Sequence, residues 1–231
     1  MDMEIENVKL DFLGHSGFLI TIKNGSEKKI IIDPYNLSEI ACKEKADFIL
    51  ITHSHYDHCS IKDIEKVKKE GTVVICPADV QSKITRIENV KMELMEAGEI
   101  IDLGKIRIEA IPAYNTNEER HFHTKNDNWI GYLVKIDKVI IYHSGDSDKT
   151  PEMEKLTGYG KKGNHFIAIL PVSWKFVMDS NEAASVAGML NADIAIPMHF
   201  GSDVAGTIAD AEKFVEICKQ EGIDARILEK V

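Results

Sequence analysis

Short apolar segments separated by turn residues recur along the chain and predict a strand-rich fold. In the first half, strands are predicted at residues 9–13, 17–23, 29–33, 47–52 and 72–76. Asn24-Gly25 is typical of a hairpin turn between the second and third of these. Ser60 is the predicted N-cap of a helix that runs to about Glu70, and a second, short helix is expected near residues 78–84.

The second half repeats this order of strands followed by helices. Strands are predicted at residues 90–95, 99–103, 105–111, 130–136, 139–142, 166–172, 193–197 and 226–228, the first three as a meander. Residues 113–128 are polar and predict a long loop, and residues 181–190 and 207–220 predict amphipathic helices. The repeated order indicates an α/β (α+β) protein with two mixed β-sheets and helices outside them, in one domain of two similar halves over residues 1–231.

Composition and charge narrow the class of protein. The chain has 231 residues, of which 44% are apolar and 29% are charged, as in an ordinary globular protein. With 28 basic and 38 acidic side chains the net charge is −10, so nucleic acid is not an expected partner. No apolar run reaches the roughly 18–20 residues that span a bilayer, so no membrane association is expected. The acidic N-terminus and four scattered cysteines favour a cytoplasmic protein with reduced thiols.

The most informative segment is His53-Ser54-His55-Tyr56-Asp57-His58, which directly follows a predicted buried strand. Imidazole nitrogens and carboxylate oxygens are good ligands for zinc and similar divalent ions. In extended backbone His53 and His55 point the same way, and a turn into the next helix would swing Asp57 and His58 to a neighbouring position. Random placement would give this motif in roughly one chain in a thousand, which favours a two-metal site over an incidental polar turn.

This motif resembles the signature of the metallo-β-lactamase superfamily, and the resemblance extends over most of the chain. The other segments that carry it are residues 14–18 (Gly-His-Ser-Gly-Phe), 31–34 (Ile-Ile-Asp-Pro), 142–146 (Tyr-His-Ser-Gly-Asp) and 197–201 (Pro-Met-His-Phe-Gly). The resemblance is to a branch of prokaryotic metal-dependent hydrolases and sugar-phosphate lactonases. It implies a four-layer αββα sandwich, with two mixed β-sheets flanked by helices, as a single metallo-β-lactamase-like hydrolase domain.

The family pattern also requires a histidine before Asp146, and both His121 and His123 are candidates. His123 shortly precedes a Trp-x-Gly-Tyr segment, as in the branch that this chain resembles, which favours His123. His121 is then a loop histidine that faces substrate.

The resemblance implies two divalent metal ions, with zinc favoured and manganese or iron allowed. The first ion would be held by His53, His55 and His123, and the second by Asp57, His58 and His199. Asp146 would bridge the two ions. Asp57 is also the implied catalytic residue, because it would orient the attacking hydroxide as well as bind metal.

A further group of residues is expected to support the ligands or to touch substrate. Asp33 would accept a hydrogen bond from a ligand histidine and so fix its tautomer. The full group is His15, Asp33, Tyr114, Asn115, His121 and His143. His15 and His143 are the packing or supporting histidines of this group, and Tyr114 and Asn115 lie in the polar loop.

The implied function is a hydrolase that uses a metal-bound hydroxide on an ester, lactone or phosphoester of a small molecule, with a lactonase-like activity favoured. A phosphorylated substrate would need a basic pocket, for which residues 119–123 and Lys125 are the candidates. The alternatives are a phosphodiesterase or nuclease of the same superfamily and a metal-binding module without turnover. Relatives of this kind often associate, so a homo-oligomer is also expected.

Overall fold

The computed structural model describes residues 3–160 and 163–231, and the chain forms two compact units. The first unit comprises Met1–Glu96 together with the C-terminal segment Leu228–Val231, and the second comprises Ala97–Ile227. The C-terminal segment belongs to the first unit because it pairs with a strand there. Val231 N donates to Phe12 O at 3.0 Å, and Lys230 forms a parallel bridge with Phe12.

The described residues of the first unit form a seven-stranded mixed sheet. Its strands, in both chain and sheet order, are Met3–Ile5 (β1), Val8–Gly14 (β2), Gly17–Ile22 (β3), Lys28–Ile32 (β4), Phe48–Leu50 (β5), Thr72–Cys76 (β6) and Val90–Leu94 (β7). Strands β1 to β4 pair antiparallel, and β4 to β7 pair parallel. Parallel neighbours need a crossover, and helix α1 (Ile61–Val67) supplies it between β5 and β6.

Helix α1 contributes to the hydrophobic core of the first unit. Its buried side chains Ile64 and Val67 belong to one cluster with Ile31, Ile49 and Val74 of the sheet. The last three are paired in register across β4, β5 and β6 and therefore share one face of the sheet. A short helix α2 (Gln81–Ile84) adds Ile84 to the same cluster.

The described residues of the second unit form a six-stranded mixed sheet. Its strands are Ile100–Asp102 (β8), Ile106–Pro112 (β9), Ile130–Ile136 (β10), Val139–His143 (β11), His165–Pro171 (β12) and Ile194–Met198 (β13). The sheet order is β13-β12-β11-β10-β9-β8, with parallel pairs from β11 to β13 and antiparallel pairs from β8 to β11.

Two capped helices complete the second unit. Helix α3 (Ser180–Leu190) begins with a capping box in which Asp179 and Glu182 each accept from the other's backbone N–H. Helix α4 (Ile208–Gln220) begins with an equivalent box formed by Thr207 and Asp210. No helix in the described part of the chain is long and apolar enough to cross a membrane.

The two mixed sheets with flanking helices confirm the predicted fold class, and most strands lie within one or two residues of their predicted bounds. Two local predictions are wrong. Strand β7 pairs with β6 rather than with the two strands that follow it, so the predicted meander does not exist. Residues 226–228 do not form a strand, and Arg226 N only donates one hydrogen bond to Ala195 O. Both errors concern pairing partners, which an apolar pattern does not encode.

Candidate metal centre

In each unit the polar residues of interest follow the carboxyl ends of parallel strands. Asp33 follows β4 and His53 follows β5 in the first unit, while Asp146 follows β11 and His199 follows β13 in the second. The carboxyl ends of parallel strands lie along one edge of a sheet, and ligand sites in such sheets form at that edge. The sheet topology therefore brings residues that are distant in sequence together within each unit.

Asp33 fixes the orientation of two histidines in the first unit. Its Oδ1 accepts from Thr52 N at 2.8 Å, and its Oδ2 accepts from the Thr52 hydroxyl at 2.6 Å and from His58 Nδ1 at 2.8 Å. Because the single Thr52 hydroxyl proton goes to Asp33, Thr52 Oγ1 can only accept at His53 Nδ1, which lies 2.9 Å away. Both histidines then carry their proton on Nδ1, so that each Nε2 keeps its lone pair for a ligand.

The other side chains of the motif converge beside these two. His53 Nε2 lies 3.1 Å from His55 Nδ1, and His58 Nε2 lies 3.6 Å from Asp57 Oδ2. His15 Nε2 is 2.9 Å from the same Asp57 oxygen, and His15, Asp57 and His58 each offer a ligand atom within 4.8 Å of the others. The first unit therefore gathers the whole motif together with His15 and Asp33 into one cluster.

The backbone is strained at two of these positions. His15 and Asp33 have φ values of 56° and 44°, in the left-handed region that non-glycine residues seldom occupy. Strain of this kind costs on the order of 1–3 kcal/mol and is concentrated at functional sites. Both side chains are at most 2% exposed, so the fold holds them in place although they are polar.

The second unit brings three predicted ligands onto one carboxylate. His123 Nε2 lies 3.2 Å from Asp146 Oδ2, and His199 Nε2 lies 3.1 Å from the same oxygen. All three side chains are buried, at no more than 3% exposure. His199 also has a left-handed backbone, with φ of 61°. This arrangement requires Gly131, because a Cβ there would lie 2.6 Å from the carbonyl oxygens of His143 and Ser144 on the segment that leads to Asp146.

Each second-unit histidine is also held through its Nδ1. His123 Nδ1 donates to the carbonyl oxygen of Phe176 at 3.1 Å, and His199 Nδ1 lies 2.8 Å from Ser173 Oγ. Because a carbonyl oxygen only accepts, the His123 proton is on Nδ1 and its Nε2 carries the lone pair. Asn115 reinforces the arrangement, since its side chain accepts from His123 N and donates to the same Phe176 oxygen.

The remaining predicted residues have other surroundings. His121 is exposed, whereas His123 is buried beside Asp146, so the structure brings His123 and not His121 to the carboxylate. His143 is buried, and its Nδ1 accepts from Gly145 N at 3.2 Å. Tyr114 is 7% exposed, and its hydroxyl donates to Glu152 at 2.8 Å. Tyr114 and Asn115 are thus engaged within the second unit.

The donor sets fit divalent metal ions. Each unit presents imidazole nitrogens and a carboxylate oxygen at separations of 2.9–3.6 Å, all of them buried except half-buried His55, and zinc, manganese and iron accept such ligands. The fixed Nδ1 atoms match the usual support of metal-binding histidines, in which the second ring nitrogen donates to a carboxylate, a carbonyl or a similar group.

Sequence reasoning missed several supporting groups. Thr52, Ser173 and the carbonyl of Phe176 orient His53, His199 and His123 respectively. A polar residue that ends an apolar strand was a usable signal for Thr52 and Ser173. A backbone carbonyl has no sequence signal, so the role of Phe176 is visible only in the structure.

Comparisons with known proteins identify the family of this chain. The family model described as the β-lactamase superfamily domain matches residues 9–199. A UPF0173 metal-dependent hydrolase of Pyrococcus furiosus is 32% identical over 219 residues, covering 91% of this chain and 92% of the relative. A UPF0173 metal-dependent hydrolase of Koribacter versatilis is 29% identical over 229 residues, covering 94% and 95%. A crystal structure from Parabacteroides distasonis, described as a candidate metal-dependent hydrolase, aligns with a TM-score of 0.81 and 28% identity over 99% of both chains.

The chain therefore belongs to the metallo-β-lactamase superfamily, among the UPF0173 metal-dependent hydrolases. This confirms the family resemblance and the predicted enzyme class, a metal-dependent hydrolase. The relatives' names specify neither the metal nor the substrate.

Proposed function

We propose that this protein hydrolyses a small carboxylic ester or lactone with the aid of two divalent metal ions, zinc being favoured. The ligands in this proposal are the seven that the superfamily resemblance implies, which are His53, His55, Asp57, His58, His123, Asp146 and His199. The observation that carries the proposal is that each unit gathers its share of these residues with the ring nitrogens already oriented.

When bound, the ions would lower the pKa of water to near neutrality and polarise the substrate's carbonyl oxygen. The protein residues supply fixed positions for that chemistry. Asp33 and Thr52 hold His58 and His53, while Ser173 and the Phe176 carbonyl hold His199 and His123. His15 Nε2 holds Asp57 Oδ2 at 2.9 Å, which orients the carboxylate that we assign to directing the attacking water.

The cysteine beside the motif supports water, rather than a side chain, as the nucleophile. Cys59 is 3% exposed, and burial raises the pKa of its thiol to about 12. A thiol with such a pKa has almost no thiolate at neutral pH and is a poor nucleophile. The same holds for Cys76, whose pKa burial also raises to about 12.

The charges in the polar loop favour an uncharged substrate over a phosphorylated one. Arg120, one candidate for a basic pocket, pairs with Asp148 and Glu182 at 2.6 Å each. Lys125, the other, is paired with Glu152 at 3.4 Å. Two large aromatic side chains near Arg120 are instead exposed: Phe122, two residues away in sequence, at 51%, and Trp174, whose carbonyl accepts from Arg120 Nε, at 62%. Such rings suit contact with an apolar part of a substrate.

A substrate panel tests the proposal. The metal-free protein would be loaded separately with Zn²⁺, Mn²⁺ and Fe²⁺ and assayed on lactones of five- and six-membered rings, an aryl acetate, a phosphorylated lactone and bis(4-nitrophenyl) phosphate. We expect metal-dependent turnover of the neutral lactones or ester, and its loss in His53→Ala. His121→Ala is the matched control for metal content and should retain the metal, because His121 is exposed.

The outcomes separate the alternatives. Faster turnover of the phosphodiester than of any lactone or ester would contradict the proposed substrate and favour a phosphodiesterase. Metal binding without turnover of any compound would favour the non-catalytic module. A His53→Ala variant with unchanged metal content would contradict the proposed ligand set.

A further inference from the structure

Arg120 ties together several segments of the second unit through one buried side chain. Its Nη1 donates to Asp148 Oδ1 and its Nη2 donates to Glu182 Oε2, each at 2.6 Å, and its Nε donates to the carbonyl oxygen of Trp174 at 3.1 Å. The Arg120 side chain is only 9% exposed and that of Asp148 only 3%. An ion pair of this kind is not a solvated surface pair, and its geometry uses the planar guanidinium on three sides.

Two of the three segments that Arg120 contacts hold or support a candidate ligand. Asp148 lies two residues after Asp146, in the segment that follows β11. Trp174 lies between Ser173, which holds His199, and Phe176, whose carbonyl holds His123. Arg120 itself belongs to the loop that carries His123. One guanidinium thus connects the supports of all three second-unit ligands.

Asp148 extends this connection into the start of the polar loop. Its Oδ2 accepts from the backbone N–H groups of Thr116 and Asn117, at 2.9 and 3.0 Å, while its own N donates to Tyr114 O at 3.0 Å. Glu182, the other carboxylate that pairs with Arg120, is fixed by the capping box of α3, where it accepts from Asp179 N at 2.8 Å. Arg120 therefore links the polar loop to helix α3.

We propose that Arg120 is a positioning residue that holds His123, Asp146 and His199 in their metal-binding arrangement. This inference rests on the proposed function, because it treats those three residues as metal ligands. Its action is indirect, since none of its hydrogen bonds is made to a ligand side chain. The role requires arginine, because the planar guanidinium makes all three hydrogen bonds at once and a lysine ammonium does not reproduce this geometry.

The test compares zinc affinities of the full chain, measured by competition with a chromophoric chelator at a temperature well below unfolding. We expect Arg120→Met and Arg120→Lys to lower the affinity about 10–100-fold, as the loss of outer-shell partners does in other metal sites. Arg226→Met is the matched control, because Arg226 makes a 2.6 Å pair with Asp224 in the same unit but is 47% exposed. Its zinc affinity should equal that of the unsubstituted protein.

A spectroscopic readout separates positioning from general stability. Co²⁺ bound to the unsubstituted protein and to Arg120→Lys would be compared by visible absorption, since the d–d bands report ligand geometry. We expect altered bands in Arg120→Lys and unaltered bands in Arg226→Met. Should Arg120→Met fail to fold, the test uses Arg120→Lys and Glu182→Gln instead. Both variants weaken contacts of the guanidinium but leave a cation opposite Asp148.

The failures are distinguishable. If the unsubstituted protein bound no zinc, the proposed function and this inference would both be wrong. If it bound zinc, and the folded Arg120 variants matched its affinity and Co²⁺ spectrum, only the positioning role would be overturned.

Discussion

At the residue scale, the second nitrogen of each imidazole distinguishes a supported candidate ligand from an incidental histidine. His53, His58, His123 and His199 each place Nδ1 against a protein group and Nε2 toward other candidate ligands. His121, two residues from His123, is exposed. Two histidines so close in sequence therefore differ in environment enough to have different functions.

His123→Ala and His121→Ala should consequently have opposite effects. We expect His123→Ala to reduce bound zinc per chain, because it removes an imidazole that lies 3.2 Å from Asp146 and is oriented by Phe176. His121→Ala should leave the zinc content unchanged. Elemental analysis of the two purified variants decides the matter, and the reverse result would assign the ligand to His121.

Asp33→Asn is the sharpest test of the orienting network in the first unit. The Asp33 carboxylate accepts hydrogen bonds from three donors. In Asp33→Asn the side-chain NH₂ group would replace one of the oxygens and, being a donor itself, could not accept from the protein donor that it faces. We expect zinc affinity to fall about 10–100-fold, as for other outer-shell changes. Competition with a chelator would measure the fall.

Asp47→Asn provides the comparison for that variant. Asp47 also accepts a backbone hydrogen bond, from Lys29 N, and pairs with Lys28 and Lys69 rather than with a histidine. Its substitution should alter stability and leave zinc affinity as it was. Equal zinc affinity in Asp33→Asn and the unsubstituted protein would refute the orienting role.

How far the sequence predicts the site depends on the residue. The motif at residues 53–58 is compact, so spacing alone indicates the chemistry, and the structure pairs Asp33 with His58, one of the proposed ligands. Arg120 and Lys125 are different. Sequence identifies them as cations but cannot indicate that buried or neighbouring carboxylates pair with them. Such pairing depends on segments that only the fold brings together.

At the scale of elements, helix α1 shows how the chain directly after the motif is stabilised. Ser60 caps the helix, and Asp63 accepts from Ser60 Oγ at 2.7 Å and from Asn36 N at 2.9 Å. The helix ends at Val67, earlier than its predicted end, because Lys68 is extended with ψ of 155°. The start of this helix can be predicted from its N-cap residue, Ser60. Its end could not be predicted, because no glycine marks the position where the helix stops.

Asp63 should make stability depend on acid pH. Burial opposes its ionisation, but hydrogen bonds from Ser60, Lys66 and Asn36 N outweigh burial and hold its pKa below the usual 3.8. A lowered pKa in the folded state gives stability that is complete above the unfolded pKa and lost as pH falls through the folded value. We expect Asp63→Asn to be less stable than the unsubstituted protein at pH 7.

The difference in the free energy of unfolding should shrink below about pH 4, where the carboxylate takes up a proton. Urea unfolding of the metal-free proteins across pH 3–7 would measure it. A difference that does not change over this range would show that the charge of Asp63 contributes nothing, and that only its shape matters.

At the scale of the whole molecule, each of the two units has a mixed sheet and its own set of oriented side chains at the carboxyl ends of parallel strands. Alternating apolar and turn residues predict the strands and the fold class well. They do not predict that β7 belongs to the first sheet, or that residues 228–231 return to the first unit. Both depend on long-range pairing, for which the local pattern is the same with either partner.

The central claim is that the seven proposed ligands bind two divalent metal ions. An anomalous difference map from crystals of the zinc-loaded protein, recorded at the zinc absorption edge, tests it most directly. We expect zinc peaks at the proposed ligands of both units, which are His53, His55, Asp57 and His58 in the first and His123, Asp146 and His199 in the second. A map with no peak at these residues would contradict the proposed ligand set.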